Sequence, residues 1–280
     1  MSVYPRTQKK IWIDYDVYVG GDSPLLVVAG PCVLESEEHA RYMAGALLQI
    51  LDPLDVGFVF KSSFDKANRT SGASYRGVGM EEGRKILDGI RRDLNIPTIT
   101  DVHLPSQVET VRNFVSMLQV PAFLCRQTDL IEACAWSGLP VNIKKGQFLS
   151  PQEMQQIVNK MEDSGSFRMT LCERGVSFGY NTLVSDFRSL DVMSKTTYPV
   201  IFDATHSTQS IGGLGTHSGG NREYAPLLAR AAVAVGVDGI FAEVHNKPDE
   251  ALSDAACQLD LPMFEVMIKE LLAIRKSLAN

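Results

Sequence analysis

Short apolar runs rich in β-branched and aromatic residues recur along the chain, each followed by polar residues and then by a helix-like stretch. The runs are Leu25–Ala29, Val56–Phe60, Pro97–Val102, Met117–Phe123, Leu139–Ile143, Met169–Cys172, Pro199–Phe202 and Gly239–Val244. Several are nearly continuous rather than alternating, as expected for parallel strands covered on both faces. Between them lie helical patterns such as Glu37–Leu51, Met80–Leu94, Ser106–Phe114 and Tyr224–Val235, followed by a last helix over Met263–Leu278. One helix start is well marked, because Ser150-Pro151-Gln152-Glu153 supplies an N-cap serine, a first-turn proline and a capping-box glutamate in order. Eight strand–helix units of this length predict an α/β fold of the (β/α)8 TIM barrel type.

Ahead of the first unit, Ile11–Val19 and Leu25–Val28 flank Gly20-Gly21-Asp22-Ser23. An N-terminal β-hairpin is therefore expected within residues 11–28, set against the N-terminal end of the barrel. No linker or low-complexity segment divides residues 1–280, which are read as one domain. The competing architecture is a doubly wound open sheet, which a Gly-x-Gly-x-x-Gly turn after the first strand would favour. The turn there reads Gly30-Pro31-Cys32 instead.

Composition narrows the function classes. The 280 residues are 45% hydrophobic and 21% charged, ordinary values for a soluble globular protein. A net charge of −6 without a basic face or tail argues against a nucleic-acid partner. The start, Met1-Ser2-Val3-Tyr4-Pro5-Arg6, lacks the apolar core of a signal peptide, and no uncharged apolar run is long enough to span a bilayer. Five widely spaced cysteines do not form a disulfide pattern and suit a reducing compartment, so a cytoplasmic protein without a membrane partner is expected.

Against this acidic background the stretch from Lys61 to Ser71, KSSFDKANRTS, stands out. It leaves a buried strand and at once becomes cationic and hydroxyl-rich, which suits an oxyanion such as phosphate; a solvated surface loop is the other reading. Active sites of these barrels lie at the C-terminal ends of the strands. The second run ends at Lys61, the fourth leads to Arg126, the fifth ends at Lys144-Lys145 and the sixth at Glu173-Arg174. Lys66 and Arg69 add to them from the Lys61 loop. Cations spread over this much of the rim point to more than one anionic group: a phosphate with a carboxylate, or two phosphates.

The other side of the rim has different chemistry. The first run leads to Cys32, the seventh enters Asp203-Ala204-Thr205-His206, and the eighth ends at Glu243-Val244-His245. Closure of a barrel makes strands 7, 8 and 1 neighbours, so Cys32, His206 and Glu243 can converge, with Asp254 as a fourth group. One thiolate, one imidazole and two carboxylates suit a borderline divalent ion such as Zn²⁺, Fe²⁺ or Mn²⁺. Taken singly, each also has an ordinary explanation: a small buried cysteine, a hydrogen-bonded histidine, a glutamate paired to a rim lysine. His103 and His245 are further candidates for acid–base work or metal binding, while His39 and His217 carry little signal. Glycines at 212, 213, 215, 219 and 220 make the loop after the seventh strand a plausible lid.

The residues closely resemble the 3-deoxy-D-manno-octulosonate 8-phosphate synthase family. The resemblance rests on Ala29-Gly30-Pro31-Cys32, Phe60 to Ser71, Gln119 to Leu130, Asn142 to Phe148, Glu173-Arg174-Gly175, Phe178-Gly179-Tyr180-Asn181 and Asp203 to Ser207, which together cover nearly the whole chain. Lys66-Ala67-Asn68-Arg69 is specific, since the sister family that uses erythrose 4-phosphate typically has Lys-Pro-Arg-Thr there; that sister synthase is the alternative reading.

The resemblance implies an aldol-type condensation of phosphoenolpyruvate with D-arabinose 5-phosphate and water. The products are 3-deoxy-D-manno-octulosonate 8-phosphate, destined for lipopolysaccharide, and inorganic phosphate. It implies that Lys61, Ser63, Lys66, Gln119, Lys144 and Arg174 surround phosphoenolpyruvate and that Asn68, Arg69 and Thr70 hold arabinose 5-phosphate. Arg69 and Thr70 are expected to reach a neighbouring subunit of a homotetramer. Thr70 stands where serine is common in the family, which keeps the hydroxyl. Catalytic roles fall to His206, Lys66, Asp254 and Asn68. Metal-independent members carry asparagine at the position of Cys32, so this chain resembles the metal-requiring branch, with Cys32, His206, Glu243 and Asp254 as ligands.

Overall fold

The computed structural model describes residues 9–67, 72, 74–210 and 219–278. Eight strands form a closed barrel: β1 (Leu25–Gly30), β2 (Val56–Lys61), β3 (Thr98–Asp101), β4 (Met117–Val120), β5 (Val141–Lys144), β6 (Met169–Glu173), β7 (Val200–Asp203) and β8 (Gly239–Glu243). Each pairs in parallel with its sequence neighbours, and β8 closes onto β1 with Glu243 opposite Gly30. Every residue of β1, β3, β4, β5, β6, β7 and β8 is buried, which explains why these runs read as continuous rather than alternating.

The helices outside the barrel are α1 (Glu37–Leu51), α2 (Met80–Leu94), α3 (Pro105–Val111), α4 (Thr128–Trp136), α5 (Met154–Asp163), α6 (Arg188–Ser194), α7 (Tyr224–Val235) and α8 (Leu261–Leu278). Boundary shifts from the sequence pattern have local causes. β4 stops at Val120 because Pro121 has no N–H to donate, and Ala122–Leu124 turns as a 3-10 helix instead. Glu153 caps the segment before α5 as expected, its carboxylate accepting from the Ser150 backbone N–H at 2.9 Å and from the Ser150 hydroxyl at 3.1 Å.

The N-terminal hairpin is narrower than expected. Ile11–Asp14 and Val17–Val19 pair antiparallel around a turn at Tyr15 and Asp16, so Gly20 to Ser23 is the connection to β1 and Leu25–Gly30 belongs wholly to the barrel. Buried Ile11, Ile13 and Val19 join the core. Lys9 N–H donates to the Thr197 carbonyl, Ser116 Oγ to Asp14, and Arg168 to the Trp12 carbonyl. Ser116 and Arg168 directly precede barrel strands and Thr197 lies three residues before β7, so the hairpin covers the N-terminal mouth and leaves the C-terminal mouth for chemistry.

Candidate active site

At the C-terminal mouth the barrel brings four cationic side chains together. Lys61 ends β2 and is almost fully buried; its Nζ donates to Ser63 Oγ at 2.9 Å and to the Cys32 carbonyl at 3.3 Å. The same Nζ stands 3.5 Å from Asp101 Oδ2 and 3.5 Å from Glu243 Oε1, and Lys66 Nζ lies 3.9 Å from that same Oε1. Burial and the neighbouring Lys66 push the Lys61 pKa down, against Asp101 and Glu243, which pull it back up. Lys144 ends β5, with its Nζ 2.5 Å from Asp203 Oδ2, 3.4 Å from His206 Nδ1 and 3.5 Å from the centre of the Phe241 ring. Arg174 donates to Gln209 Oε1 at 2.5 Å and to the His206 carbonyl at 3.4 Å, while its Nε is buried without a hydrogen-bond partner. Lys61 and Lys66 thus meet at Glu243, and Lys144 and Arg174 at His206.

Glu243 is the pivot of the opposite wall. It is fully buried, and neither carboxylate oxygen accepts a hydrogen bond. Burial alone would raise its pKa, but the surrounding positive charge, with Lys66, Lys61 and Lys144 in it, holds it below the ordinary carboxylate range. Ligand atoms of Cys32, Glu243 and Asp254 all lie within 4.8 Å of one another. His206 Nε2 adds to them, 3.3 Å from Glu243 Oε1 and 3.9 Å from Asp254 Oδ2. The four residues that sequence reasoning grouped from strands 7, 8 and 1 do converge.

Asp203 decides what His206 presents there. Asp203 Oδ2 lies 2.7 Å from His206 Nδ1, so we assign the ring proton to Nδ1 and the lone pair to Nε2, which faces the two carboxylates. A lone pair and two anions facing one another repel unless a cation lies between them. A buried carboxylate with neither oxygen hydrogen-bonded, an imidazole lone pair, a second carboxylate and a thiol therefore fit a divalent ion. Burial and Glu243 push the Cys32 thiol well up, and its sulfur lies 2.7 Å from Ser253 Oγ and 3.5 Å from Asp254 Oδ2.

Other candidates lie apart from this centre. Lys145 is buried against Glu173 at 3.3 Å and the carbonyls of Gly146, Leu149 and Gly175, so it ties loops together instead of facing an anion. Arg126 is exposed, 3.8 Å from Glu153. His103 stands edge-on to Phe64, with ring centroids 6.4 Å apart. His245 stacks on His39, with centroids 4.5 Å apart, although His39 had little signal in the sequence. These two form a second cluster with Glu35. There the Lys247 N–H donates to His245 Nδ1 at 3.0 Å, so Nε2 carries the ring proton toward Glu35 Oε1, 3.4 Å away. A protonated Nε2 has no lone pair for a metal, and the cluster is accounted for as a polar brace; Glu35 also accepts from Leu252 N–H at 2.9 Å, next to the loop holding Asp254.

Asn68, Arg69 and Thr70, expected around a sugar phosphate, lie outside the described residues, as do His217 and the glycines at 212, 213 and 215. Gly219–Gly220 pairs antiparallel with Gln209–Ser210.

Sequence reasoning assigned no role to Asp101, Asn142, Thr170, Asp203 or Ser253. Asp101 and Asp203 each close a barrel strand, so an acidic residue at that register was the available signal. The other three are short polar residues whose partners come from distant parts of the chain.

A family model described as the DAHP synthetase I family matches residues 4–277. The chain is 52% identical over 265 residues to a protein of Desulfatibacillum aliphaticivorans, covering 95% of this chain and 97% of the relative. It is 50% identical over 270 residues to one of Cyanothece sp., covering 96% and 99%. A protein of Methylobacillus flagellatus is 54% identical over 255 residues, covering 90% and 91%. All three relatives carry the name 2-dehydro-3-deoxyphosphooctonate aldolase.

Proposed function

The chain belongs to the DAHP synthetase I family, and from that premise we propose that it condenses phosphoenolpyruvate with D-arabinose 5-phosphate and water. The products are 3-deoxy-D-manno-octulosonate 8-phosphate and inorganic phosphate, and the reaction serves lipopolysaccharide synthesis. The observation that carries this reading is the meeting of Lys61, Lys66, Lys144 and Arg174 around His206 and Glu243 at the C-terminal mouth. The described chain is read as one domain, since the hairpin and the helices all serve the one barrel.

Phosphoenolpyruvate carries a phosphate and a carboxylate on the same carbon, which suits a pocket with cations on several strands. In this reading Lys61, Ser63, Lys66, Gln119, Lys144 and Arg174 hold it, and the unpartnered Arg174 Nε is a donor in want of an oxyanion. Carbon 3 attacks the aldehyde carbon of the sugar, the aldehyde oxygen takes a proton, water adds at carbon 2, and phosphate leaves carbon 2. Held cations neutralise the phosphate as it departs, while His206, Lys66 and Asp254 are the groups within reach for moving protons. Asn68, Arg69 and Thr70 are assigned to the arabinose phosphate.

Cys32, His206, Glu243 and Asp254 are assigned to a divalent ion such as Zn²⁺, Fe²⁺ or Mn²⁺. Bound there, such an ion supplies Lewis acidity toward water or a sugar oxygen. Asp203 keeps the His206 lone pair directed at that place. We further read the assembly as a homotetramer and the compartment as the cytoplasm; the cysteines at 32, 125, 134, 172 and 257 are all free and buried, as suits reducing conditions.

The test is phosphate release from phosphoenolpyruvate with arabinose 5-phosphate or with erythrose 4-phosphate, each with and without a strong chelator. Preference for the five-carbon sugar is expected, with activity lost on verified metal removal and restored by added Zn²⁺ or Mn²⁺. Preference for erythrose 4-phosphate would overturn the substrate assignment, and full activity without metal would overturn the ligand assignment alone. Sizing of the purified protein tests the tetramer.

A further inference from the structure

Inside the barrel four buried polar side chains stand opposite one another in successive strand pairs: Asp101 on β3, Gln119 on β4, Asn142 on β5 and Thr170 on β6. Hydrogen bonds join them in one direction. Thr170 Oγ1 donates to Asn142 Oδ1 at 2.8 Å, Asn142 Nδ2 to Gln119 Oε1 at 2.8 Å, and Gln119 Nε2 to Asp101 Oδ1 at 2.7 Å. The other Asp101 oxygen accepts from Ser63 Oγ and faces Lys61.

Asp101 imposes this direction. An ionised carboxylate only accepts, so Gln119 must turn its amide nitrogen toward it; that leaves the Gln119 oxygen for the Asn142 nitrogen and the Asn142 oxygen for a hydroxyl donor. Reversing either amide would set two acceptors face to face in a buried place.

Lys61 Nζ stands between two carboxylates, 3.5 Å from Asp101 and 3.5 Å from Glu243. Whichever carboxylate is held more firmly decides where the ammonium rests. We propose that the Thr170–Asn142–Gln119–Asp101 ladder is the positioning element of the anion pocket, fixing Asp101 so that Lys61 stays midway between Asp101 and Glu243. Asn142 and Thr170 then act as positioning residues for phosphoenolpyruvate without touching it. This rests on the reading that Lys61 and Gln119 hold phosphoenolpyruvate. Loosening the ladder frees Asp101, draws Lys61 toward Glu243 and weakens the pocket.

The experiment is calorimetric titration of phosphoenolpyruvate into the full-length enzyme and its Asn142→Leu, Thr170→Val and Thr170→Ser variants, with the melting midpoint of each measured alongside. Asn142→Leu is expected to bind phosphoenolpyruvate about tenfold more weakly, the scale of one hydrogen bond that supports a charged group. Thr170→Val, which is nearly isosteric and two links from Gln119, is expected to lose about threefold, and Thr170→Ser to regain wild-type affinity. If Asn142→Leu does not fold, the threonine pair decides the matter alone. A purely structural ladder would lower the melting midpoints while affinity in the folded variants stayed at the wild-type value, and that result overturns the proposal. Wild-type enzyme that does not bind phosphoenolpyruvate would sink the substrate reading and the ladder's role together, whereas wild-type binding with unchanged variants sinks the ladder alone.

Discussion

His206 Nδ1 lies 2.7 Å from Asp203 Oδ2, and the His206 backbone N–H donates to the other oxygen of the same carboxylate at 2.9 Å. Both contacts come from a single turn after β7, so ring orientation and tautomer are set together. The consequence appears on the far side of the ring, where Nε2 faces Glu243 and Asp254.

Asp203→Asn reverses that arrangement, since an amide N–H can donate to Nδ1 and push the ring proton to Nε2. Affinity for a divalent ion is expected to fall about 10- to 100-fold, the usual effect of removing an outer partner of a metal-binding histidine. Titrating chelator-treated protein with Zn²⁺ against a coloured competitor measures it. Unchanged affinity would contradict the tautomer assignment.

Cys32→Ala removes one donor from the set while leaving a residue that fits the buried position. Bound metal is expected to drop below stoichiometry, and phosphate release to fall at least about a hundredfold, more than loss of an outer partner costs. Elemental analysis of the purified variant together with the assay checks both, and a fully loaded, active Cys32→Ala enzyme would remove Cys32 from the ligand set.

Lys144→Met keeps the length of the side chain and removes its charge. Asp203 is fully buried, so it becomes a carboxylate short of its partner, and destabilisation of about 3–5 kcal/mol is expected. Urea unfolding reads this out directly. Replacing Asp203 as well, in Lys144→Met with Asp203→Leu, should recover part of the loss; a single variant as stable as wild type would mean the pair contributes little.

Gly30→Ala tests the turn into the site. Gly30 has a φ of +157°, and a Cβ there would collide with the Lys61 carbonyl oxygen. Overpacking of backbone on backbone at the β1–β2 seam is expected to cost about 3 kcal/mol and to displace Lys61 with it. A melting midpoint within a degree of wild type would show that the seam relaxes freely.

Acid stability should depend on Asp101. Burial favours its neutral form, but Lys61, Lys66 and His103 outweigh that and hold its pKa well below the ordinary 3.8. A depressed carboxylate contributes stability that is present above the unfolded value and is lost as pH falls through the folded one. Thermal midpoints of wild type should therefore decline below about pH 4, and the decline should be shallower in Asp101→Asn. Parallel pH profiles for the two proteins would refute this.

The strand–helix rhythm was legible because each barrel strand is buried and each helix shows one face to it, so burial writes itself into local composition. The hairpin was misjudged in its turn: Gly20 and Gly21 carry the stronger glycine signal, yet the chain reverses at Tyr15, a non-glycine residue with φ of 46°. Cys32, His206, Glu243 and Asp254 could be grouped because they lie at or after the ends of strands 1, 7 and 8, and barrel closure makes those strands neighbours. Lys145 looked like Lys144 in the sequence, but successive residues at a strand end point to opposite sides, and it turned toward Glu173 and loop carbonyls.

Residue order alone was enough to specify the barrel, the rim on which chemistry collects and the types of group gathered there, since these follow from periodicity and strand ends. Folding in three dimensions settled which carboxylate meets which cation. Asp101 with Gln119, Asp203 with Lys144, and Glu243 with no hydrogen-bond donor are relations between residues on different strands. Only strand register and burial make them, because the strength and direction of a buried polar contact depend on what lies within a few ångströms and not on what lies nearby in the chain.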